Sequence, residues 1–233
     1  MNKIISIVVI LSTLTLVVNA QSESDSLDNK NLSIMYFHAG FQMQEYNNLN
    51  TVLQNNGFTT LSDNSFLMGG GYQYLSKLNI INLSDFSVFV QSSSEQNNTT
   101  KIKGFEISQN FGYMFINENK FQLISFGGLA YTWLSAKMFT EIPNNTTVSN
   151  FLSGTANQFE MSANYWLANF GGQFTFSPTM DKKTGEKLII GIKSSYAIPI
   201  SETNWEMDNI NLKDGPEIDK GRFAVSLILG ITL

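Results

Sequence analysis

From Arg222 to Leu233 the side chains alternate in type, with Phe223, Val225, Leu227, Leu229, Ile231 and Leu233 on one side and Arg222, Ala224, Ser226, Ile228, Gly230 and Thr232 on the other. A period of two belongs to a β-strand with one oily face. Apolar alternation recurs in segments at 32–42, 66–75, 80–91, 102–116, 121–137, 159–176, 187–198 and 222–233. Most are long enough for a tilted strand to cross a bilayer, which takes about 9 to 11 residues.

The connections alternate as well. Short ones at 76–79, 117–120 and 177–186 interleave with mostly longer ones near 43–65, 92–101, 138–158 and 199–221. Tight turns at one end and larger loops at the other predict an all-β, eight-stranded antiparallel up-and-down transmembrane β-barrel over 32–233. Pro143, Pro178, Pro199 and Pro216 fall in connections or at a strand end, where a missing N–H breaks no ladder.

The pattern also assigns the faces. Met35, Phe37, Ala39, Phe41 and Met43 oppose Tyr36, His38, Gly40 and Gln42, while Phe105, Ile107 and Phe111 oppose Glu106, Ser108 and Asn110. Charges therefore fall on the lumen side, which avoids the roughly 2 to 4 kcal/mol cost of a charge at the lipid midplane. Tyr72, Tyr74, Tyr113, Phe115, Phe121, Phe174 and Phe176 are expected to form one aromatic girdle, and Tyr131, Trp133, Phe159, Tyr196 and Phe223 the other.

Two segments depart from strict alternation. In the sixth, odd positions are apolar up to Leu167 and even ones from Trp166 onward, through Ala168, Phe170, Phe174 and Phe176. A one-residue bulge near 165–167 would reconcile the halves, and a similar break stands near Asp85. Lumen-side glycines recur at Gly69, Gly71, Gly112, Gly128, Gly171, Gly191 and Gly230. Because glycine weakens a strand, their repetition implies either tight curvature or clearance for bulky inward groups such as Tyr36 or for segment 21–31.

Composition narrows the rest. Met1 to Lys3, the apolar run Ile4 to Val18 and the small residues before Gln21 predict a signal peptide at 1–20, followed by a flexible segment at 21–31. There is no cysteine, so neither disulfides nor thiolate metal sites are available. A net charge of -5 without a basic patch argues against nucleic acid as a partner.

His38 is the only histidine, which leaves no histidine-based zinc site, and Gly69-Gly70-Gly71 lies in a strand instead of preceding a helix. His38 with Ser33 or Ser108 could be cast as a lipid-acting acyl pair, yet nothing in their spacing selects them. No catalytic, cofactor or metal residue is assigned. Glu106, Glu160, Asp85, Lys193 and Arg222 are expected to face inward and to pair, because unpaired buried charge is costly. They would form a polar plug or, on the alternative reading, an ion path.

In the first long loop Tyr46, Leu49, Val52 and Leu53 share a helical face and Gly57 stands where a C-terminal cap would. Both a short helix over the barrel mouth and an ordinary loop fit this segment. The acidic residues between 199 and 221 are read as solvated loop charge.

The signal peptide, Tyr46-Asn-Asn-Leu-Asn50, Asn56-Gly57, the run Gly69 to Tyr72 and the terminal strand resemble the small outer-membrane β-barrel proteins of Bacteroidetes, related in architecture to the outer-membrane protein A and X barrels. Members often end in phenylalanine, where this chain has Leu233. The resemblance implies the fold and the cell outer membrane, with lipid and the barrel assembly machinery as partners, and it brings no catalytic residue. The expectation is a monomeric, non-enzymatic barrel with a filled lumen and surface loops. Two alternatives stand beside it: a lipid-modifying outer-membrane enzyme, and a soluble lipocalin-like barrel with the faces reversed around an apolar ligand.

Overall fold

The computed structural model describes residues 32–233 apart from 77, 96, 97, 119, 141–157, 179–186, 209 and 219. The expected signal peptide (1–20) and segment 21–31 lie outside the described residues, as does most of the connection at 138–158. The strands are β1 (Leu32–Gln44), β2 (Asn64–Leu75), β3 (Ile80–Glu95), β4 (Asn98–Glu118), β5 (Phe121–Thr140), β6 (Gln158–Phe176), β7 (Leu188–Pro199), β8 (Asn204–Met207), β9 (Ile210–Asn211) and β10 (Arg222–Thr232), with one helix, α1 (Asn47–Asn55).

Neighbours in the chain pair antiparallel from β1 to β7, and β10 closes the ring between β7 and β1. Eight strands thus form a closed barrel, while β8 and β9 make a hairpin appended to β6. Following paired residues around the wall from Ile34 through Gln73, Leu83, Asn110, Gly128, Asn169, Ala197 and Arg222 returns to β1 at Gln44. That displacement of ten residues over eight strands corresponds to a strand tilt of about 40°.

The face assignment holds. Phe37, Phe41, Phe111, Ile192 and Leu227 are each at least half exposed, whereas Tyr36, His38, Glu106, Lys193 and Arg222 are buried. The reversed, lipocalin-like arrangement is therefore not the one this chain adopts.

Four sequence-based expectations are corrected. The third connection is not a loop over 92–101: β3 and β4 continue their ladder to Glu95 and Asn98. The Ser94 and Thr99 hydroxyls bond across this stretch at 2.9 Å, and β3 to β6, of 16, 21, 20 and 19 residues, are longer than the other strands. The bulges expected in the third and sixth segments are also absent, since the β3–β4 ladder passes Asp85 and the β5–β6 ladder passes Leu167 without a shift. The described register shift lies between Met114 and Ile116, and Phe115 and Ile116 both face out.

The unbroken β6 ladder also changes which residues share a face. Odd positions of β6 face inward from Met161 onward, and Phe159, on the same side at the strand's upper end and 43% exposed, meets Phe58 edge-on with ring centroids 6.1 Å apart instead of joining the outer girdle. Glu160 likewise points outward, where it accepts a hydrogen bond from Ser135 Oγ at 2.9 Å. The fourth concerns the helical face, which buries Tyr46, Leu49 and Leu53 and leaves Val52 41% exposed.

Candidate functional site: the filled lumen

The lumen is stacked in three layers. At the turn end Leu75, Ile81, Leu83, Met114, Ile124 and Phe126 close the floor, beside a smaller cluster of Ile34, Tyr36, Ile189 and Ile228. Each comes from the inward position of its strand, so the floor is apolar although the face as a whole is polar. The break in alternation at Asp85 arises here: Ile81 and Leu83 belong to the floor, and Asp85 begins the layer above.

That middle layer holds the charges. Lys193 Nζ lies 2.7 Å from Asp85 Oδ2, and the Tyr36 hydroxyl donates to the other carboxylate oxygen. The Lys193 ammonium sits over the rings of Phe126 and Tyr36, 5.2 and 5.7 Å from their centroids. Higher up, Arg222 pairs with Glu106, whose carboxylate also accepts from Thr132 Oγ1 at 2.8 Å. Charges enclosed in a low dielectric must be paired and hydrogen-bonded to be tolerated. Of the five residues expected to pair inside, four do so.

Glycines open the space that these side chains fill. A Cβ at Gly71 would stand 2.6 Å from the Tyr36 hydroxyl and from Asp85 Oδ1, and one at Gly230 would stand 2.7 Å from Tyr36 Cβ. At Gly69 it would meet first the Phe86 carbonyl across the ladder at 2.1 Å and then His38 Nε2 at 2.7 Å, so there the close approach of the strands also demands glycine. Clearance for Tyr36 is thus a finding, whereas segment 21–31 lies outside the described residues.

The top layer is α1 and what it covers. Tyr46, Leu49 and Leu53 pack with Ile102, Leu134, Ala136, Met161, Ala163, Tyr165 and Leu167 from the wall. A Schellman motif ends the helix: Gly57 at φ 76° donates to the Gln54 carbonyl at 3.1 Å, and Phe58 N–H to that of Leu53 at 2.9 Å. Asn50 then pins the returning chain, its amide donating to Leu61 O at 3.0 Å and accepting from Leu61 N at 2.8 Å. Nine residues would be marginal as an isolated helix, so burial on the barrel mouth stabilises it.

The acidic loop contributes to the same layer. Trp205 of β8 is buried, its indole donates to Pro216 O at 2.7 Å, and Ile218 joins the core. Trp205 and Ile218 are members of the mouth core that the sequence reading missed; single apolar residues in an acidic stretch carried too little signal.

Among the charges of the middle layer, lined by both ion pairs, remains a cavity of about 30 Å³, room for about two waters. His38 and Ser108 both line it but do not bond one another, while Ser33 lies on the outer face of β1, hydrogen-bonded to Tyr72 at 2.8 Å. The acyl pair raised from the sequence is therefore not assembled. Among the described residues no three His, Asp or Glu side chains gather as metal ligands.

A closed antiparallel ring, apolar outside and packed with paired charge inside, defines a transmembrane β-barrel. No family model and no curated protein matches the chain. Among solved structures, it is similar to a major outer membrane protein from Thermus thermophilus, at 11% identity over 87% of this chain and 98% of that one, with a TM-score of 0.52. Others include Ail, the attachment invasion locus protein of Yersinia pestis (14% identity, 88% and 97% coverage, TM-score 0.45), and the N-terminal β-barrel domain of Pseudomonas aeruginosa OprF (11%, 88% and 100%, TM-score 0.38). At these identities the likeness is one of fold, and the Thermus structure carries it.

Proposed function

We propose that this protein is a monomeric outer-membrane barrel with a structural or surface-interaction role, presenting its long connections outside and conducting no bulk solute. The observation that carries the reading is the closure of the lumen: α1 packs over the mouth, two ion pairs cross the middle, and the cavity that those pairs line has room for about two waters. A barrel of eight strands is filled by its own side chains, and water-filled channels appear at about 16 strands. The apolar outer face supports a place in the cell outer membrane, reached through a signal peptide at 1–20 and the barrel assembly machinery. Residues 46–50, 56–57 and 69–72 support a Bacteroidetes-type protein.

A non-enzymatic role is supported by the seclusion of His38, buried at mid-barrel and away from lipid acyl chains. The test is fractionation of the expressed chain with boiled and unboiled samples compared by gel mobility. Outer-membrane recovery with a heat-dependent shift is expected, and recovery as soluble protein overturns the reading. For the enzymatic alternative, His38→Ala should leave lipid acylation unchanged, and an altered acyl pattern would reinstate it.

A further inference from the structure

Three lysines stand together on the outside of the barrel. In β4, Ile102 and Gly104 face the lumen, which turns Lys101 and Lys103 outward; in β5, Ala136 and Leu134 do the same for Lys137. Lys101 and Lys137 are direct cross-strand partners, and Lys103 lies opposite Ser135 on the adjoining rung. Like charges directly opposite on a sheet repel. Among the described residues no ion pair within 4 Å forms with any of the three; Glu160, in register with Lys137, accepts from Ser135 Oγ and offsets at most one of the three charges. Glu206 of β8 lies one strand farther on, opposite Ser162.

Their height on the wall gives the cluster meaning. Just below, Phe105 is paired across the sheet with Trp133, and Tyr131 packs on Trp166 with centroids 5.0 Å apart. These aromatic residues mark the edge of the apolar band. At the strand tilt of this barrel each residue climbs about 2.5 Å, which sets Lys103 about 5 Å and Lys101 about 10 Å above Phe105. That is the level of lipid headgroups. No other wall strand presents a lysine outward above its aromatic residues among the described residues, so a chain of net charge -5 concentrates positive charge on one wall.

We propose that the outer face of β4 and β5 binds a phosphate-bearing lipid of the surrounding leaflet, with Lys101, Lys103 and Lys137 on the headgroup phosphates and Phe105, Trp133 and Tyr131 against the acyl chains. Three ammonium groups spread over two rungs match a headgroup with two phosphates, since a single phosphodiester, with one negative charge, would leave most of the charge uncompensated. This rests on the membrane-barrel reading above and names the lipid that such a barrel retains.

The test uses barrel purified from the outer membrane and titrated in detergent with a diglucosamine lipid bearing two phosphates, read by tryptophan fluorescence, to which Trp133 reports. Saturable binding is expected, weakened about tenfold or more in the Lys101→Ala, Lys103→Ala, Lys137→Ala triple variant and kept in the corresponding arginine variant. Lys213→Ala with Lys220→Ala should bind as the wild type does. Equal binding by the alanine variant, or of the dephosphorylated lipid, overturns the proposal, and competition by inorganic phosphate at equal concentration replaces it with a free-anion site. Heat-dependent gel mobility of every variant separates this failure from failure of the barrel reading itself.

Discussion

Gly71 stands directly across the β1–β2 ladder from Tyr36, and a Cβ at Gly71 would come within 2.6 Å of the tyrosine hydroxyl that bonds Asp85. The small residue on one strand thus sets the position of the large one on the next. Through Tyr36 it also sets the carboxylate that Lys193 pairs with.

Gly71→Leu should therefore overpack the middle layer, at a cost of about 1 to 3 kcal/mol. The expected readout is a lower urea midpoint for loss of the compact, heat-shiftable form. Tyr36→Ala in the same chain should recover part of that loss; a Gly71→Leu barrel as stable as the wild type would overturn the need for clearance at this position.

Arg222→Met leaves the Glu106 carboxylate buried with Thr132 as its remaining described partner, and breaking a buried pair on one side costs about 3 to 5 kcal/mol. Adding Glu106→Gln removes the stranded charge and should restore most of the stability. Urea unfolding of both single variants and the double variant gives the coupling; additive losses would show that the two side chains act independently.

Leu49 and Leu53 fasten α1 to the mouth, and truncating a buried leucine costs about 2 to 5 kcal/mol. The double alanine variant should release the helix while the strand ladder persists. Since the chain lacks cysteine, an Ala163→Cys probe beneath the helix can be followed with a thiol reagent. It is expected to react slowly in the otherwise native barrel and quickly once both leucines are gone.

Burial raises the Tyr46 phenol above its ordinary value, with Tyr165 nearby adding to the effect. The folded value exceeds the unfolded one, so this contribution is fully present below about pH 10 and is lost as pH rises from there towards the folded value. The urea midpoint should fall between pH 9 and about 11 by more in the wild type than in Tyr46→Phe. Parallel pH profiles for the two proteins would show that the Tyr46 phenol ionises freely in the folded state.

The strand number, the antiparallel order and the face that meets lipid were legible in the sequence, because a closed ring between lipid and a filled interior imposes a period of two that Phe37, Phe41 and Leu227 obey. Where the chain's own α1 enters the mouth, that code stops distinguishing the faces. Met161, Ala163, Tyr165 and Leu167 are apolar because a helix covers them, and to a local pattern an apolar helix and a lipid chain are the same neighbour. Hence an uninterrupted strand looked like two halves joined by a bulge, and Phe159 and Glu160 were assigned to the wrong faces. The charged residues of the interior were visible one by one, but their pairing as Asp85 with Lys193 and Glu106 with Arg222 was not. Partners separated by about a hundred residues in the chain meet only after the ring closes, and its tilt decides which rungs share a level.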